Sequence, residues 1–235
     1  MINMLYIIGL GLSEKGYSKE AYEAIKECKK IYLEGYTVDF PYKIKVLEKE
    51  FNEQIDILKR DKVENLGLIK EAKKEDICLL VYGAPLSATT HITLIQEAKK
   101  AKTKVKVIQG ASVFDGISET GLQLYKFGKT TSIPEFEADS FGEIIKENSS
   151  INAHTLLLVD IGLELDKALE KLENSAKKYE INLEKVVVCS RLGNKNSKIY
   201  YNNIAELKTK KVEKPFCIIV PGKLHFVEEE FLKNL

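Results

Sequence analysis

Tryptophan is absent from the 235 residues, and methionine (2), histidine (3), cysteine (4) and proline (5) are scarce. The four cysteines, Cys28, Cys78, Cys189 and Cys217, are far apart and never form a CxxC pair. That spacing excludes a zinc ribbon or a disulfide framework, so no metal is expected. At least three of them sit in apolar runs and read as small buried hydrophobes. Arginine occurs only at Arg60 and Arg191, so nearly all positive charge is lysine, a poor bidentate clamp for phosphate. There is no surplus of either sign: 36 basic side chains face 35 acidic ones. A nucleic-acid partner, which needs a basic excess, is therefore not expected. No apolar run approaches the roughly 18 residues that cross a bilayer, so no membrane partner is expected either. The first ten residues carry neither a basic stretch nor a small-residue cleavage site, which together with the cysteine usage predicts a reduced, cytoplasmic, soluble protein.

What is present is a globular composition, 44% hydrophobic and 30% charged. At about 150 residues per domain, the length suits one large domain or two small ones. Short Val-, Ile- and Leu-rich runs alternate with amphipathic stretches. Strands are predicted at 5–8, 31–33, 54–58, 76–82 and 105–109, and helices at 18–30, 43–51, 65–74, 89–100 and 112–127. These strands do not alternate in polarity. That pattern belongs to a largely parallel sheet covered by helices on both faces.

The second half changes character. Strands are predicted at 130–134, 154–160, 186–190 and 216–220, with helices at 139–148 and 163–180. A further strand at 199–201 is placed to pair antiparallel. The reading is α/β with two domains, 1–128 and 129–235: a mainly parallel N-terminal sheet, then a smaller mixed C-terminal sheet. No internal repeat or low-complexity segment is evident.

In open α/β sheets ligands bind at the carboxyl ends of strands. Three such ends are marked by small residues: Gly9-Leu10-Gly11, Gly83-Ala84-Pro85 and Gly110-Ala111-Ser112. Glycine there lets a ligand approach the backbone. Each pair alone is also an ordinary tight turn, and Glu14 stands where a dinucleotide fingerprint wants its third glycine. His91 and His154 read as structural hydrogen-bonding side chains, whereas His225, in a strand-end loop, is a ligand candidate. Acidic pairs such as Asp160 with Glu164, or Glu228 to Glu230, read as solvated charge. Phe114, Leu122 and residues 124–127 read as helix core. Hydrolase and NTPase motifs are missing.

Six segments in order then carry a resemblance: LYIIGLGL (5–12), YLEGYT (32–37), PLSATTH (85–91), TGLQLYKFGKT (120–130), HTLLLVDI (154–161) and PGKLHFVE (221–228). Together they resemble the diphthine synthase family, in a compact, archaeal-type form. The resemblance implies a two-domain tetrapyrrole-methylase-like fold and an S-adenosylmethionine-dependent N-methyltransferase. It also implies a homodimer, no metal, and translation elongation factor 2 as the protein substrate. There the amino group of a 3-amino-3-carboxypropyl-histidine is methylated to diphthine, a step of diphthamide biosynthesis. The blocks at 120–130 and 221–228 resemble the diphthine branch specifically. They count against the alternative of a cobalamin-pathway methylase on the same fold.

Donor-binding positions implied by the resemblance are Leu12, Ala84, Ser87, Ser112, Val113, Val159, Leu192 and His225. Most are apolar or contribute main chain, as suits a site that grips by shape. No general base is assigned. The chain departs from the family at Gly83-Ala84-Pro85, where the family motif is GDP. Losing one charge-assisted hydrogen bond costs about 1.5–3 kcal/mol, roughly tenfold to a hundredfold in affinity, which the Ser87 hydroxyl could partly offset. Ala84 also motivates a second alternative, a non-catalytic relative that binds elongation factor 2.

Overall fold

A computed structural model describes residues 3–65 and 67–235. Residues 1–2, and Leu66 within the expected 65–74 helix, lie outside the described residues. The chain divides into two compact units, 1–115 and 116–235. Gly128, where the sequence reading puts the boundary, lies within the second unit.

The first unit runs β1 (Met4–Gly9), α1 (Lys19–Glu27), β2 (Lys30–Glu34), α2 (Ile44–Phe51), β3 (Asp56–Leu58), α3 (Arg60–Glu64), α4 (Gly67–Glu71), β4 (Ile77–Val81), α5 (Ile92–Lys100), β5 (Lys104–Ile108) and α6 (Val113–Gly116). Its sheet has the order β3-β2-β4-β1-β5, and every pairing is parallel. The near-continuous apolar runs follow from burial on both faces. Ile8, Leu33, Cys78 and Leu80 face one core with Ala21 and Ile25 of α1 and Leu47 and Phe51 of α2. Leu5, Ile7, Ile77, Leu79 and Val81 face the other, with Val63, Leu68 and Leu94. Adjacent strand residues thus enter opposite cores. Helix α1 starts where its sequence signal lies: the Ser18 side chain accepts a hydrogen bond from the Ala21 N–H at 3.1 Å.

The second unit runs β6 (Thr131–Ile133), α7 (Phe141–Ser150), β7 (Thr155–Val159), α8 (Leu165–Tyr179), β8 (Val186–Ser190), β9 (Lys198–Asn202), α9 (Ile204–Leu207), β10 (Phe216–Val220) and α10 (Phe226–Lys233). Its order is β6-β7-β10-β8-β9. Only β6–β7 is parallel, and β9 pairs antiparallel with β8 as expected. Both sheets have five strands, so they differ in strand direction rather than in strand number. Leu157, Val186, Val188 and Ile218 pack on Phe141 and Ile145 of α7 and Leu169 and Leu172 of α8. Cys78, Cys189 and Cys217 are buried, Cys28 partly so, and all four are free thiols.

Two expectations are corrected. The single helix over 112–127 is instead α6 followed by two 3-10 turns, Ile117–Thr120 and Leu124–Lys126. Gly121, at φ 73°, ends the first turn in a conformation that a helix cannot continue. Tyr125 is therefore 82% exposed, and Phe114 and Leu124 are also exposed rather than core; Leu122 alone of these is buried. No helix among the described residues is long and apolar enough to cross a membrane.

Candidate functional site

At the carboxyl edge of the first sheet, β4, β1 and β5 are neighbours, so the three small-residue turns leave from one place. The Gly11 N–H donates to the Gly83 carbonyl at 3.2 Å, and the Gly83 N–H donates to the Gly11 carbonyl at 2.9 Å. A Cβ on Gly9 would stand 2.6 Å from the Gly83 oxygen and 2.7 Å from the Gly110 nitrogen. One on Gly110 would stand 2.8 Å from both the Gly11 nitrogen and the Gly83 oxygen. The main chains of all three turns thus touch, which only glycine permits.

Leu12, Ala84, Ser87, Ser112 and Val113 all belong to these turns. Leu12 is buried, and its carbonyl accepts the Tyr82 hydroxyl hydrogen at 2.8 Å. Ala84 and Ser87 are half-buried, and the Ser87 N–H donates to the Ala84 carbonyl at 3.3 Å. Ser112 is buried in a reciprocal cap of α6. Its hydroxyl accepts from the Phe114 N–H at 3.2 Å, while its own N–H donates to Asp115 Oδ2 at 2.7 Å. Asp115 therefore fixes the third turn. The Ser-x-x-Asp spacing is a capping-box signature that a reading of the sequence could have used. Beside this edge, His91 is buried and its Nδ1 lies 3.0 Å from the Pro85 carbonyl, the structural hydrogen bond expected of it.

Val159, Leu192 and His225 belong to the second unit. Val159 ends β7, half-buried against the core. Leu192, buried, follows β8 directly; Arg191 before it turns at φ 52°, with its guanidinium Nε donating to the Lys214 carbonyl at 2.8 Å. His225 is the exposed N-cap of α10, and its Nδ1 accepts from the Val227 N–H at 3.4 Å. The ring proton of the neutral form then sits on Nε2, which is left for a ligand.

Beneath His225 lies a group that the sequence reading misplaced. Glu228 is not a solvated charge: it is fully buried. Its Oε2 accepts from the His225 N–H at 2.7 Å and from the Lys126 ammonium, and its Oε1 accepts from the Gln123 N–H at 2.9 Å. His154, also fully buried, has its Nε2 3.1 Å from Oε1, while its Nδ1 accepts from the Gly222 N–H at 2.8 Å. That pair of contacts fixes a neutral, Nε2-protonated tautomer. Burial pushes the His154 pKa below its ordinary value and outweighs the upward pull of Glu228. Burial alone would raise the Glu228 pKa, but the His225, Lys126, Gln123 and His154 donors prevail and hold it at about 2. The His-x-x-Glu capping box was the available signal; the run of three glutamates masked it.

The sequence matches the tetrapyrrole (corrin/porphyrin) methylases over residues 4–208. It is 40% identical to the diphthine synthase of Methanocaldococcus jannaschii, over 99% of this chain and 98% of the relative. The chain belongs to the diphthine synthase family. Its similarity to the probable diphthine methyl ester synthase of Arabidopsis thaliana is 34% identity, over 98% of this chain and 97% of that protein. A crystal structure of diphthine synthase shares the fold with a TM-score of 0.91 at 32% identity, covering 98% of this chain and 95% of that one. The parallel sheet followed by a mixed one is the arrangement of this family, and the chain is an enzyme, a methyltransferase. Among the described residues no cluster of His, Cys, Asp or Glu is arranged to hold a metal ion.

Proposed function

We propose that this chain methylates the amino nitrogen of the 3-amino-3-carboxypropyl-histidine of translation elongation factor 2, using S-adenosylmethionine, as a cytoplasmic homodimer. The observation that carries this reading is the chain-long likeness to diphthine synthases. The residues fit the donor. A Cβ on Gly83, at φ 75°, would meet nothing nearer than the Ala111 oxygen and the Ser112 Cα at 3.8 Å, so the edge presents bare main chain with room beside it. Leu12, Ala84, Ser87, Ser112 and Val113 would hold the donor from the first unit, and Val159, Leu192 and His225 from the second. When bound, S-adenosylmethionine supplies an electrophilic methyl group on sulfonium.

The chain's own part is positioning and the exclusion of water. Holding two reactants in line can lower a barrier by roughly 7–11 kcal/mol in favourable cases. The side chains of Leu12, Val113, Val159 and Leu192 are apolar. An apolar lining lowers the pKa of an acceptor ammonium and favours the neutral, nucleophilic amine. Asp115 and Glu228 are committed to capping and to buried ion pairing, and His225 Nδ1 to its own helix. None of these is needed as a base if the amine arrives neutral.

Mass spectrometry tests the reading. Elongation factor 2 carrying the aminocarboxypropyl-histidine, incubated with this protein and S-adenosylmethionine, should gain methyl groups on the peptide containing that residue. An unchanged peptide would overturn the assignment.

A further inference from the structure

A groove of about 540 Å³ lies wholly within the second unit. Its walls include Tyr125, Lys126 and Phe127 on one side, Lys223 and His225 on another, and Ile151 on the third. The first two walls come from the segments 120–130 and 221–228, which resemble the diphthine branch rather than methylases in general. Enzymes that share a fold and a methyl donor differ in the acceptor, so branch-specific residues gathered around one groove point to acceptor recognition.

The groove is preformed. Glu228 lies under it and binds the first wall through the Gln123 N–H and the Lys126 ammonium, and the second through the His225 N–H. Lys126 Nζ also donates to the Lys223 carbonyl at 2.8 Å, tying those walls directly. The third wall packs on Gly222, where any Cβ would overlap the Asn152 and Ala153 carbonyl oxygens. A groove held this way loses little freedom when it is filled.

Its chemistry is that of an apolar, aromatic surface with one uncompensated cation. Tyr125 is 82% exposed, Ile151 70%, and Phe226 beside His225 72%. The charge of Lys126 is neutralised by Glu228, whereas among the described residues no carboxylate pairs with the exposed Lys223 ammonium. An occupant matching these features brings a ring and a carboxylate.

We infer that this groove seats the modified histidine of the protein substrate, with its carboxylate on Lys223 and its imidazole against Tyr125. The inference rests on the functional reading above. His225 is both a wall of the groove and a proposed donor contact, so a residue seated here lies beside the donor.

Two exposed positions test it without disturbing the core. Lys223→Glu and Tyr125→Ala should each raise KM for the modified elongation factor about tenfold or more, with kcat and the S-adenosylmethionine Kd unchanged. An unchanged KM in an active enzyme would overturn the groove assignment alone. Sedimentation of the same variants provides a second arm: if they fall from dimer to protomer, the face belongs to a second copy and the inference is wrong. An inert wild-type enzyme would remove the functional reading, and this inference with it.

Discussion

At position 84 a methyl group stands where the family resemblance leads one to expect a carboxylate, and the half-buried Ala84 sits on the turn that touches Gly11. Ala84→Asp should tighten the S-adenosylmethionine Kd roughly tenfold by calorimetry; no gain would mean that the turn has been rebuilt around the smaller residue. His225 serves as a helix cap as well as a proposed donor contact, so alanine would confuse the two. Asparagine keeps the cap, and His225→Asn should weaken donor binding while leaving Tm unchanged. Glu228→Ala should cost about 3–5 kcal/mol in denaturant unfolding, because it strands the Lys126 charge and the His154 donor. These residues differ in how legible they are in the sequence. Glycine turns at strand ends announce themselves. Glu228 does not, since its burial depends on residues about a hundred positions away, Gln123 and Lys126, and nothing local distinguishes it from Glu229 and Glu230.

Among elements, strands were the most readable: β8 and β10 lie where their apolar runs lie, because burial on both faces leaves no polar position to blur the ends. The stretch after β5 was the least. Its apolar residues have helical spacing, but Gly116 and Gly121 divide it, and the contacts that keep Tyr125 outside are made by distant chain. The junction of β1, β4 and β5 has a sharper consequence. Gly9→Ala would push a methyl group against two backbone atoms that belong to other strands' turns and cannot rotate away. Overpacking of this kind costs about 1–3 kcal/mol, so the Tm should fall by roughly 4–8 °C and donor binding with it; an unchanged melt would show that the turns do not meet this closely.

For the whole molecule, acid is the discriminating condition. Glu228, held at about 2 against an ordinary 4.5, contributes about 3 kcal/mol that is complete above pH 4.5 and lost as pH falls toward 2. His154 has a depressed pKa, so its contribution is likewise present at neutral pH and declines as pH falls below 6.5. Both groups lie in the second unit. Amide hydrogen exchange near pH 3 should therefore show residues 116–235 losing protection before the first unit does, and the reverse order would contradict it. The order β6-β7-β10-β8-β9 also has a consequence for biosynthesis. β10 is the middle of its sheet, yet it is translated after all four of its companions. A nascent chain halted before Phe216 holds β6–β7 and β8–β9 as two separate pairs, and pulse proteolysis of ribosome-arrested chains should find them unprotected. Until that late segment emerges, four-fifths of a sheet waits open-edged, and this is the interval in which a chaperone has something to shield.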